Sequence, residues 1–130
     1  MQYMIGVDIG TTSTKAVLFD EAGRFVAKHS ITYPLMHNEV DASEENPDTI
    51  FDAVLMTVKH VVREHDVEHD QLKFISFSAQ MHSLIAMDKD NQPLTESITW
   101  ADNRASAYAQ KLKEEHEGHE IYRRTGTPIH

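Results

Sequence analysis

Apolar positions in the first third of the chain fall into short, partly β-branched runs separated by polar turns. Met4–Asp8 and Lys15–Phe19 are two such runs, and the connector Ile9–Thr14 between them holds one glycine and four hydroxyl side chains. Runs this short, bounded by turn residues, predict strands. "DEAG", Asp20–Gly23, is a second turn, where Gly23 can take a positive φ. Arg24–Ile31 alternates in part and predicts a third strand. Three strands joined by two tight turns predict an antiparallel meander.

Thr32–Asn46 has no clear period and reads as a loop, with Glu39, Asp41, Glu44 and Glu45 on a solvated surface. A helix then begins: Asn46 can cap it, Pro47 suits its first position and Asp48 favours the positive end of its dipole. Ile50, Phe51, Val54, Leu55, Val58, Val61 and Val62 recur at helical spacing and predict its buried face. The pattern fades near His65. Lys73–Gln80 alternates as a strand, Ser83–Met87 predicts another, and Asp88–Pro93 is a turn. Ser97–Trp100 predicts a short strand, Asn103–Glu117 a helix and Ile121–Arg124 a last short turn. The order β-β-β-α-β predicts a mixed α/β domain with a helix packed on a sheet. A Rossmann unit would alternate strand and helix from the start.

Length and charge narrow the function. The 130 residues suffice for one domain with one core. A formal charge of −9 argues against nucleic acid as a partner but leaves room for a small phosphorylated ligand, because a local site can oppose the global field. There are no cysteines, so no disulfide or thiolate metal site. No apolar run approaches the roughly 18–20 residues that span a bilayer, and no leader pattern precedes the first strand; no membrane partner and a cytoplasmic location are expected. His60, His65 and His69, like His116 and His119, read as solvated helix ends rather than metal ligands. The six methionines read as core filler.

Three stretches carry candidate chemistry. Asp8 ends an apolar run beside Gly10, Thr11, Thr12, Ser13 and Thr14, with Lys15 beyond. Such a turn can aim backbone N–H groups and hydroxyls at an anion, and a carboxylate tolerates that anion where hydrated Mg²⁺ mediates. Spacing alone leaves a plain polar hairpin equally open. Gln80, Met81 and His82 leave the end of a strand, where α/β folds bind ligands. Trp100, Asp102 and Arg104 lie within five residues. An indole face suits the C–H face of a sugar, Asp102 can accept hydroxyls or cap a helix, and Arg104 can lock Asp102.

"DIGTTSTKAVLFD" resembles the first phosphate motif of the FGGY carbohydrate kinases, in the actin-like, ribonuclease-H-like ATPase superfamily. The resemblance implies that fold, with ATP as donor and Mg²⁺ as cofactor. It implies that Asp8 lies by the metal, held through water, that Gly10, Thr11, Thr12 and Ser13 meet the phosphates, and that Lys15 points to the same region. "SAQMHS" is similar to the sugar-site segment of xylulokinases and gluconokinases, which places Gln80, Met81 and His82 at the acceptor. Glycerol kinases carry Arg-Glu in place of Met-His. Trp100 and Asp102 match residues near the substrate. The combination with "HEIYRRTGTPIH" is most similar to the gluconokinases, so gluconate is expected ahead of xylulose. An actin-like nucleotide-binding module is the alternative. Members of the family are several times longer. Residues 1–130 are therefore expected to form the start of an N-terminal domain, inactive alone, with the general base and adenosine pocket elsewhere. A homodimer is compatible with this reading.

Overall fold

The computed structural model describes residues 1–115 and 117–129, so the expectation for His116 lies outside the described residues. The element order is β1 (Tyr3–Ile9), β2 (Ser13–Asp20), β3 (Phe25–Thr32), β4 (Glu44–Glu45), α1 (Pro47–Glu64), a 3₁₀ turn (His69–Gln71), β5 (Leu72–Ala79), β6 (Ser97–Ile98), α2 (Ser106–Glu115) and α3 (Gly118–Thr125). The expected meander forms. β1 pairs antiparallel with β2, β2 antiparallel with β3, and β5 lies parallel to β1, giving the order β3-β2-β1-β5. The parallel pair requires a crossover, and α1 supplies it.

Local chemistry accounts for the turns. Asp20 Oδ1 accepts from the backbone N–H of Ala22 and Arg24, both at 2.9 Å, and Oδ2 pairs with Arg24 Nε at 2.8 Å. Gly23 sits at φ 76°, as its place in the turn predicts. At the helix start Asn46 Oδ1 accepts from Thr49 N at 2.9 Å, the N-cap bond read from the sequence.

The core lies between α1 and one face of the sheet. Ile5 and Val7 of β1, Ala16 and Leu18 of β2, Ala27 of β3, Val61 and Val67 form it. Fully burying one such Ile, Leu or Val side chain contributes about 1.5–3 kcal/mol. The buried face of α1 is rotated from the one expected. Ala53, Thr57 and Val61 are buried and Val54, Val58 and Val62 pack at the margin, whereas Phe51 and Leu55 are 62% and 53% exposed. Small residues let the helix approach the sheet closely, and Thr57 is tolerated there because its hydroxyl donates to Ala53 O at 2.8 Å.

Three further expectations change. Ser83–Met87 is not a strand: Leu84 bridges Ile98 and Met87 bridges Pro93, while Ala86 N turns to Thr95 Oγ1 at 3.1 Å. The predicted loop Thr32–Asn46 contains β4, which pairs with β6 in a separate two-stranded ribbon. The helix predicted from Asn103 starts at Ser106, and the predicted last turn is a full helix, α3. β5 is one edge of the four-stranded sheet, β3 the other. Phe74 registers with Met4 and Phe77 with Val7, so the two phenylalanines lie on opposite faces, and both are exposed.

Candidate active site

The β1–β2 turn is drawn tight by Gly10 N donating to Ser13 O at 2.9 Å. A Cβ at residue 10 would stand 3.1 Å from that same carbonyl oxygen, so glycine is what the turn accommodates. Asp8 is exposed at the end of β1. It registers with Lys15 on one side and Ser78 on the other, so all three share one face of the sheet.

Tyr33 holds this turn from below. Its hydroxyl donates to Gly10 O at 2.6 Å and lies 3.2 Å from the buried Thr14 hydroxyl, while its backbone N–H donates to Thr12 O at 3.1 Å. Burial is the main force raising the Tyr33 pKa, so it remains a neutral O–H donor. Tyr33 was missed in the sequence, although a signal existed: the inward parity of β3 at Ala27 continues through residues 29 and 31 to 33.

One cavity of about 410 Å³ is lined by Asp8, Gly10, Thr11, Ala79, Gln80, Met81, His82 and Trp100. It joins the hairpin to the Gln80–His82 stretch and to Trp100. His82 adopts φ 57°, in the left-handed region that non-glycine residues rarely occupy and that clusters at functional sites. Met81 is 72% exposed. Thr11 Oγ1 accepts from Trp100 Nε1 at 3.0 Å and donates to Gln80 Oε1 at 3.3 Å, and Gln80 Nε2 donates to Glu45 Oε2 at 2.7 Å.

Thr12, Ser13, Lys15 and Asp102 do not line this cavity. Lys15 borders a neighbouring depression of about 320 Å³ that shares Asp8. The Asp102 carboxylate, with its side chain 5% exposed, accepts from Ser43 N at 2.8 Å and pairs with Arg104 at 2.9 Å. Its bond with Arg104 is the main reason its pKa is lowered. Arg104 also reaches Glu44 and, at 4.0 Å, Glu39. Asp102 thus ties the loop before α1 to the segment that carries Trp100.

Glu45 corrects the expectation of a solvated acidic loop. It is fully buried, and burial raises its pKa. Nothing in an acidic run distinguishes the one member that turns inward; only its place directly before the Asn46–Pro47 cap hints at packing. Among the described residues no group of three or more His, Asp or Glu is arranged to hold a metal ion, and no helix is long and apolar enough to cross a membrane. His60 stacks on His29 with ring centroids 3.7 Å apart and lies 3.3 Å from Glu64.

Comparison with known proteins places this geometry. The chain is 55% identical over 128 residues to the gluconokinase of Bacillus subtilis, covering 98% of this chain and 25% of that protein. The solved gluconate kinase of Lactobacillus acidophilus superposes with a TM-score of 0.91 at 45% identity, over 99% of this chain and 26% of that one. A ligand-bound xylulose kinase from the same organism gives 0.92 at 45% identity, over 100% and 26%. The chain therefore spans about a quarter of the length of the relatives it matches. The ribonuclease-H-like α/β fold expected from the sequence is borne out by these neighbours. Residues 3–130 match the N-terminal domain of the FGGY family of carbohydrate kinases, and the chain belongs to that family.

Proposed function

We propose that this chain supplies the phosphate hairpin and part of the acceptor wall of an ATP-dependent carbohydrate kinase that converts D-gluconate to 6-phosphogluconate. The observation that carries the proposal is the single cavity in which Asp8, Gly10 and Thr11 face Gln80, Met81, His82 and Trp100. Donor and acceptor must meet in such a space for in-line transfer. The identity with a gluconokinase, 55% against 34% for a Staphylococcus xylosus xylulose kinase, favours gluconate.

The hairpin fits a metal–triphosphate complex on two observations: an exposed carboxylate at a strand end, and a turn in which a Cβ at Gly10 would press within 3.1 Å of the Ser13 carbonyl oxygen. Asp8 would hold Mg²⁺ through water, and that ion would neutralise phosphate charge. The turn's backbone N–H groups, with the Thr12 and Ser13 side chains, bind phosphate oxygens. Thr11 joins through its backbone, because its hydroxyl proton is engaged by Gln80. Lys15, beside Asp8 in the ladder, offsets charge that develops on the transferring group. Trp100 offers its indole to the sugar C–H face, and Gln80, Met81 and His82 line the acceptor. Asp102 positions the Trp100 segment. The acceptor oxygen attacks the γ-phosphorus, ADP departs, and the acceptor's proton passes to a base outside these residues.

In that kinase these residues would form the start of the N-terminal domain, and the exposed apolar edge at Phe74 and Phe77 suits packing by further chain. Steady-state assay of the full-length protein with ATP and gluconate, xylulose, glycerol or ribulose tests the proposal. Gluconate should give the highest kcat/KM. A preference for another acceptor refutes the substrate, and ATP hydrolysis indifferent to any sugar favours an actin-like nucleotide-binding module.

A further inference from the structure

We propose that Glu45 is a positioning residue of the acceptor wall: its buried carboxylate anchors a hydrogen-bonded chain through Gln80 and Thr11 that holds the Trp100 indole against the hairpin. The direction of every link follows from donor chemistry. The Glu45 oxygen bonded to Gln80 accepts, so the Gln80 amide nitrogen faces it at 2.7 Å. That leaves the Gln80 carbonyl for Thr11, which must donate its proton there, at 3.3 Å. The Thr11 oxygen is then left to accept the indole N–H of Trp100, at 3.0 Å. One acid thus sets the orientation of an amide, a hydroxyl and an indole, all three of them at the cavity.

Backbone pairing reinforces the same route. Glu45 registers with Ser97 in the β4–β6 ribbon, three residues before Trp100, and Gln80 N donates to Ile9 O at 2.9 Å beside the hairpin. The folding energetics argue against a purely structural role. Glu45 is fully buried, and its Oε1 has no hydrogen-bond partner among the described residues. Burying a carboxylate with an unsatisfied oxygen opposes folding, and an apolar side chain of similar volume would pack there at lower cost. What the carboxylate adds is an acceptor for Gln80.

The kinetic part of the test rests on the kinase reading above; the spectroscopic part does not. In the full-length, ligand-free protein, the ¹H–¹⁵N resonance of the Trp100 indole, assigned with Trp100→Phe, is compared across Glu45→Gln, Glu45→Leu and Thr11→Val. Glu45→Leu and Thr11→Val should both move that resonance, and Glu45→Gln, which keeps an acceptor, should leave it near its original position. With gluconate and ATP as substrates, Glu45→Leu and Thr11→Val should raise the gluconate KM about five-fold or more. For Glu45→Leu the ATP KM and kcat should change less than about two-fold, and the double variant should raise the gluconate KM no further than either single one. An unmoved indole resonance in both variants overturns the proposal, as does a joint rise of the two KM values in Glu45→Leu. If Glu45→Leu fails to fold, Thr11→Val, at a half-buried turn position, decides alone. If the unaltered protein phosphorylates no sugar acid, the functional reading fails while the indole resonance still decides the chain of bonds.

Discussion

Replacing Tyr33 with Phe removes one oxygen and leaves the ring in place. The lost hydroxyl donates to Gly10 O at 2.6 Å and lies 3.2 Å from the Thr14 hydroxyl, which is fully buried. A typical intramolecular hydrogen bond contributes about 0.5–1.5 kcal/mol net, so losing two should destabilise the domain by about 1–3 kcal/mol. For a domain of ordinary size that is a fall of about 2–12 °C in Tm. The functional consequence is directional. Gly10 O belongs to the same peptide unit as Thr11 N–H, so the Tyr33 bond orients a group proposed to face phosphate. Tyr33→Phe should raise the ATP KM about three- to ten-fold, with a smaller effect on the acceptor KM. Thermal melts and a coupled kinase assay on the full-length protein read both quantities. An unchanged Tm together with an unchanged ATP KM would show that the hairpin does not depend on Tyr33.

Asp8→Ala should leave the melt intact, since Asp8 is exposed, and reduce kcat by about 10²-fold or more; near-normal turnover removes Asp8 from the chemistry. His82→Ala should raise the gluconate KM more than the ATP KM, and equal effects deny it an acceptor role. Glu45 titrates with a raised pKa, so its proton is held more tightly in the folded state; stability is greatest below the ordinary carboxylate pKa and falls as pH rises through the raised one. Glu45→Gln, which cannot ionise, should therefore gain Tm over the parent at pH 8 and lose that advantage at pH 4. A difference independent of pH would contradict a buried titrating acid.

The meander was legible because its turns are chemically explicit. Asp20 and Gly23 make one, and a hydroxyl-rich glycine turn makes the other. The start of α1 was equally clear from Asn46 and Pro47. Its buried face was not, because periodicity weights large apolar residues, whereas the sheet selects the small ones, Ala53 and Thr57, for close approach. Phe51 and Leu55 lie on the side that the described residues leave exposed. The methionines illustrate the same limit: Met56, Met81 and Met87 are exposed rather than core. Residues around the hairpin and the Gln80–His82 turn were readable as motifs that end or join strands. The bonds of Tyr33 and Glu45 were not, because they are tertiary, across 23 and 35 residues of sequence; strand parity signals only that Tyr33 turns inward. The pairing of Asp102 with Arg104 was legible from their spacing, but its bond to Ser43 depends on a ribbon that local pattern does not reveal.

The central claim is that the β1–β2 turn and the Gln80–Trp100 wall bring a metal-bound triphosphate and a sugar acid into one space. A crystal structure of the full-length protein with Mg²⁺, a non-hydrolysable ATP analogue and gluconate tests it directly. The account predicts phosphate oxygens on the backbone N–H groups between Gly10 and Ser13, a metal-bound water on Asp8, and gluconate against Trp100 and His82. A triphosphate bound away from that turn, or gluconate bound outside the cavity, would contradict it.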